Sequence, residues 1–214
     1  MPNSKVLAIK TGCKAASMGL KCRDAGLVFI WPYFENLFRE FGLLSVEGRW
    51  RKGEQATRKA VQLLSYILGP EALTAIDCVT IRLLIGQHSD NTEEKVIDAQ
   101  REIKEQVKSK SQPQSELTAT EETLNLPEQA ERERCELLMR EIVHQWKSIR
   151  NLPNLGLQRF FLQREGTWSR DSNDFYLTLT PQKQDFHLSS LPWKVECLRF
   201  PWCDYRIFVR WGSS

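Results

Sequence analysis

The sequence has little of what catalysis or metal binding needs. Only three histidines occur, His88, His144 and His187, and each stands alone. No two cysteines form a C-x-x-C pair, and no histidine lies close enough to a cysteine to complete a zinc pattern. There is no G-x-S-x-G turn, and GCKAAS at 12–17 lacks the spacing of a phosphate-binding loop. The acidic pairs Glu93-Glu94 and Glu121-Glu122 fall in highly charged stretches, where nothing desolvates a carboxyl group to tune it. A reaction needs a nucleophile, a base and something to orient them, so these absences read as no enzyme, no cofactor, no metal and no small-molecule substrate.

Other absences bound the class. The longest apolar run, AGLVFIWPYF at 25–34, is too short to span a bilayer and contains a proline. No secretory signal is visible, so a cytoplasmic protein with no membrane insertion is expected. Charge of one sign is also lacking: 30 Lys and Arg stand against 27 Asp and Glu, a net charge of +3. That excess is too small to argue for nucleic acid. The six cysteines, Cys13, Cys22, Cys78, Cys135, Cys197 and Cys203, read as free thiols. Whether Cys197 and Cys203 face each other across a hairpin stays open.

What is present is hydrophobic patterning over most of the 214 residues, enough for a proper core. Residues 1–24 read as a basic N-terminal arm. Residues 25–90 read as a helical part. Leu27 to Trp31 is β-like, and Pro32 then suits the first turn of a helix bearing Phe34, Leu37, Phe38 and Phe41. Helices over 54–69 and about 71–85, joined at Gly69-Pro70, make an αα-hairpin. Residues 91–127 read as a charged helix and polar linker with little to bury. Residues 128–214 read as a helix over 128–149, a short helix over 155–162, and then a sheet. There the period changes to two, and DSND at 171–174 joins two strands. Two hairpins make a small antiparallel sheet near the C-terminus, with one face on the helices. The fold class is therefore α+β.

The last strand sets Tyr205, Ile207, Val209 and Trp211 on one face and Arg206, Phe208 and Arg210 on the other. LPWKVECLRFPWCDYRIFVRW at 191–211 reads as the layer that closes the fold, partly reused for docking. Trp31, Phe34, Phe38, Trp193 and Trp211 are the structural aromatics, with Trp193 and Trp211 expected to be mostly buried. Trp202, Arg206, Phe208 and Arg210 are the candidates for partner docking, Trp202 as the exposed contact. Arginine beside an aromatic also suits a small nucleic-acid-binding or adaptor module. Glu165, Asp171, Asp174, Asp185, Glu196 and Asp204 interrupt the positive field and argue against nucleic acid.

Four pieces together carry a resemblance: AGLVFIWPYFENLFREFGLL at 25–44, RKAVQLLSYILGPEALTAIDCVTIRLLIG at 58–86, LGLQRFFLQREGTW at 155–168 and LPWKVECLRFPWC at 191–203. In order and spacing the chain resembles the tape measure proteins of contractile injection systems, the phage-tail-like particles of bacteria. Two departures stand out. Asp24 precedes AGLV where the family usually has Asn, and Leu84-Ile85-Gly86 replaces a usual Leu-Cys-Gly. The resemblance implies a structural component of the particle, made in the bacterial cytoplasm, with inner tube, hub or spike, or baseplate proteins as partners. Residues 91–127 would reach only about 55 Å if wholly helical. That reach suits an anchoring module in or near the inner tube or baseplate, needed for length control or assembly, better than a complete ruler.

Overall fold

The computed structural model describes residues 19–51, 53–69, 79–87 and 126–212. The 91–125 stretch, the Gly69-Pro70 connection beyond Gly69 and most of the basic arm lie outside these. The described elements run β1 (Leu20–Cys22), a 3₁₀ segment (Ala25–Tyr33), α1 (Phe34–Glu40), α2 (Glu54–Leu68) and α3 (Val79–Leu84). Then come α4 (Gln129–Gln145), a 3₁₀ turn (Lys147–Ile149), α5 (Asn154–Leu157) and a π-helical turn (Gln158–Leu162). The chain ends with β2 (Gly166–Asp171), β3 (Asp174–Leu179), a 3₁₀ segment (Lys183–Ser190), β4 (Cys197–Arg199) and β5 (Arg206–Trp211). The α+β class holds: helices occupy the first part, and the sheet lies near the C-terminus.

Two local readings are corrected. Leu27 to Trp31 is not a strand but part of the 3₁₀ segment, and all of Ala25 to Ile30 is buried. An element buried on every side shows no periodic contrast, so its apolar run cannot separate strand from helix. Leu20–Cys22, at the end of the basic arm, is a sheet strand. The expected helix at 155–162 is α5 widening into the π turn.

The five strands lie in the order β1-β2-β3-β5-β4. β1·β2, β2·β3 and β4·β5 pair antiparallel, as the hairpin reading requires. The join between the hairpins differs, because β3 and β5 pair parallel, Tyr176 opposite Phe208 and Leu177 opposite Val209. The chain leaves β3, crosses by the 3₁₀ segment Lys183–Ser190, and lays β4 on the outer edge before β5 returns inside it. A parallel pair needs such a crossover, which strand alternation alone does not reveal.

The crossover is fixed by tryptophans. Trp193 Nε1 donates to the Phe29 carbonyl at 2.6 Å, and Trp31 Nε1 donates to the Lys194 carbonyl at 2.8 Å. This reciprocal pair clasps the 3₁₀ segment Ala25–Tyr33 to the start of LPWKVECLRFPWC. Trp202 Nε1 donates to the Leu84 carbonyl, and Trp168 Nε1 to Thr80 Oγ1. Trp146, fully buried, donates to the His187 carbonyl. Each indole satisfies its N–H while burying a large ring. Phe34 and Phe38 are fully buried, and both pack near the C-terminal aromatics Phe200 and Trp202. One core thus spans the helices and the inner face of the sheet.

Gly26 shows how tightly the pieces fit. A Cβ there would lie 1.8 Å from the Phe161 carbonyl oxygen, so only glycine lets the 3₁₀ segment rest on the π turn. Next to it, the Ala25 amide donates to the Arg164 carbonyl at 3.0 Å. AGLV and FLQREG, far apart in sequence, therefore pack backbone to backbone.

Candidate docking face

Alternation along the strands and their register sort side chains into two layers. The inner rows include Leu20, Trp168, Leu177 and Val209 in one line, and Phe175, Ile207 and Leu198 in another. The outer rows align Lys21, Thr167, Thr178 and Arg210; then Ser169, Tyr176, Phe208 and Cys197; then Asp171, Asp174, Arg206 and Arg199. The outer face is where Arg206, Phe208 and Arg210 meet.

They form a stack with a fourth residue. Tyr176 lies across the parallel pair from Phe208, the rings stacked with centroids 5.3 Å apart and planes 17° apart. The Arg206 guanidinium sits 5.2 Å from the Phe208 ring centre, and that of Arg210 sits 4.1 Å from the Tyr176 ring centre. Each cation rests on the negative face of a ring. Asp174 holds Arg206 at one end: Arg206 Nη2 donates to Oδ2 at 2.6 Å, and its Nε and backbone N–H donate to Oδ1. The hydrogen bonds from Arg206 hold the Asp174 carboxyl below its ordinary value. Arg210, at the end shared with Lys21, makes no ion pair among the described residues. The face therefore offers a flat aromatic surface, a braced guanidinium and an unbraced one, suited to carboxylates and apolar side chains of a partner.

The remaining expected residues fall elsewhere. Trp202 is half-buried against Phe38, Trp50 and Phe200 and is not the exposed contact. Trp193 is half-buried in its clasp. Trp211, expected inside, is 47% exposed. It lies on the inner side, but at the tip of β5, where one ring face covers Phe29 and the Arg164 guanidinium and little covers the rest. Cys197 and Cys203 are both free, one exposed and the other half-buried. Tyr176 was missed as a docking residue because it sits on another strand. Its alternation with Phe175 and Leu177 puts it on the polar side, and that is the only signal the sequence carries.

Two buried charges complete the electrostatics. Arg164 is 1% exposed. Its Nη1 and Nη2 donate to the two Asp185 oxygens, each at 2.6 Å, and Nη2 also donates to the Thr180 carbonyl. Asp24 is buried, with the Ile81 amide donating to its Oδ2 at 3.3 Å. Burial pushes the Asp24 carboxyl up, against hydrogen bonds from Thr80 and Ile81 that pull it down. Among the described residues no three His, Cys, Asp or Glu side chains gather to hold a metal ion.

The model of the contractile injection system tape measure protein family matches residues 7–211, nearly the whole chain. The chain belongs to that family. No curated protein and no solved structure matches it. Tape measure proteins are structural parts of the particle rather than enzymes. No helix among the described residues of this tape measure protein is long and apolar enough to cross a membrane.

Proposed function

We propose that the folded part of this tape measure protein anchors the particle's inner assembly, docking through the outer face of its sheet onto inner tube, hub, spike or baseplate proteins. The observation that carries this reading is the outer-face stack of Arg206, Phe208, Tyr176 and Arg210 on a five-stranded sheet. A compact fold does not itself span a tube. The longest described helix, Gln129–Gln145, extends about 26 Å. Assembly takes place in the bacterial cytoplasm, and the anchor is needed for particle formation or for setting tube length.

The test is electron microscopy of particles purified from cells that carry outer-face variants of this chain. An anchor predicts few or no complete particles when Arg206 and Arg210 are both reversed to Glu, with the variant still folded. Normal particles of normal length would sink the reading. Particles that form normally but change length when residues are inserted at 91–127 would assign a ruler instead.

A further inference from the structure

A second surface lies away from the stack, where the 3₁₀ turn Lys147–Ile149, the π turn and the 3₁₀ segment Lys183–Ser190 surround an open groove of about 560 Å³. Its volume is in the range of ordinary ligand sites, about 300–1,000 Å³. Phe160 and Phe186 stand at it, 51% and 70% exposed, an unusual cost for large apolar side chains. Lys147, Arg150 and Lys183 line it, and no acidic side chain does among the described residues. Asp185 is adjacent in sequence, but both of its oxygens are taken by Arg164. Lys147 and Lys183 form no ion pair among the described residues.

The walls are tied before anything binds. Gln184 Nε2 donates to the Phe160 carbonyl at 2.7 Å, joining the π turn to the 3₁₀ segment. Trp146 Nε1 and Ser148 Oγ both donate to the His187 carbonyl, at 2.9 and 3.2 Å, joining that segment to the turn after α4. A preformed site loses little freedom when it is filled.

We infer that this groove is a docking site for an acidic peptide segment of a partner protein, one that inserts a large apolar side chain between Phe160 and Phe186 while its carboxylates meet Lys147, Arg150 and Lys183. The charge decides the occupant. A purely apolar partner would leave three cations desolvated and unpaired, which is costly. A second copy of this chain would have to bring an acidic apolar patch of its own.

The experiment is fluorescence anisotropy with the full chain and a labelled peptide carrying four carboxylates around a Phe-Leu pair. Saturable binding is expected, weakening with added salt. Lys183→Glu and Phe186→Ser should each weaken it by about tenfold. Arg58→Glu, which changes net charge equally on an exposed position of α2, should leave it unchanged. Unchanged thermal transitions would show that the variants fold, and Lys147→Glu replaces either one that does not. Equal binding of a peptide with Ser-Ser in place of Phe-Leu overturns the proposal, as does wild-type affinity in Lys183→Glu. So does displacement of the peptide by single-stranded DNA, which assigns the groove to nucleic acid. Dimerisation of the chain that is lost in Phe186→Ser assigns it to self-association and also overturns it.

Discussion

The two faces of the sheet use similar residues for opposite ends. Each pairs arginine with aspartate and rests a guanidinium on aromatic rings. On the inner side Arg164 is enclosed, bound by both oxygens of Asp185 and laid against Phe29 and Trp211. On the outer side Arg206 binds Asp174 and lies over Phe208 in the open. Water makes the difference. Buried, the pair is committed, because losing one partner strands the other. Exposed, it is screened and replaceable, and so free to be handed to another protein. Composition therefore says little about role, and burial says a great deal.

The largest break in that comparison is to remove the inner layer's closing strands. Ending the chain before Leu191 deletes β4 and β5, and with them the buried Leu198, Phe200, Tyr205, Ile207 and Val209. Burying such side chains contributes about 1.5–3 kcal/mol each. A whole domain has only about 5–15 kcal/mol. Circular dichroism should show no cooperative melt. A truncated chain that melts like the full one would make 191–211 a docking tail.

Next in size is Arg164→Ala, which leaves Asp185 facing a vacated site. Denaturant unfolding should lose about 3–5 kcal/mol. The double change Arg164→Met with Asp185→Leu should lose less than the single one, since no charge is stranded. The pH behaviour checks the same pair. Burial raises the Asp185 carboxyl, but the Arg164 hydrogen bonds and the Gln182 amide outweigh it, so its folded pKa is lowered. The stability it contributes is present above the ordinary carboxylate range and is lost as pH falls through the folded value. Arg164→Ala should flatten that acid-side loss.

The pairs also show what sequence could and could not tell. Alternation placed Arg206, Phe208 and Arg210 on one face, because a strand's period is two whatever it pairs with. It could not show that Tyr176 joins them, since that depends on β3 meeting β5 in parallel. The strand LKC at 20–22 carries no alternation long enough to read, and only pairing with β2 makes it one. FLQREG shows a charge after an apolar run, but the partner that lets Arg164 be buried lies 21 residues further on. Trp202, half-buried, and Trp211, 47% exposed, both depart from their expected exposure for a similar reason. Both have apolar rings, and only the neighbours, Phe38 and Trp50 around one and the end of a strand beside the other, decide which is covered. The resemblance located the segments that pack together, although it carries no geometry.

A smaller effect is expected at Asp24, where the resemblance led one to expect Asn. Its carboxyl is raised by burial, the opposite of Asp185. The charged form is thus disfavoured in the fold, and stability falls as pH rises from the ordinary carboxylate range towards the folded value. Asp24→Asn keeps an oxygen for the Ile81 amide and removes the charge. It should stabilise the protein at neutral pH by roughly 1 kcal/mol and abolish that part of the pH dependence. Urea unfolding at pH 5 and pH 8 measures both. Equal destabilisation at the two values would mean that the carboxylate is needed as an ion.

The smallest change in stability should come from the outer face, and it is the sharpest test of the comparison. Arg210 touches the Tyr176 ring and makes no ion pair among the described residues, so Arg210→Glu removes one cation–aromatic contact in water. Exposed contacts of this kind add little to a fold. The urea midpoint should barely move, and Arg206→Ala should behave alike, because Asp174 is then left to solvent. Their effect belongs in docking instead. If the face is the anchor, Arg210→Glu should reduce recovery of the chain in purified particles far more than a matched reversal at exposed Arg58. A folded Arg210→Glu variant incorporated at the wild-type level would leave the outer stack as a solvated surface. A variant that is both unstable and excluded would mean that the two faces are not separable in the way their burial implies.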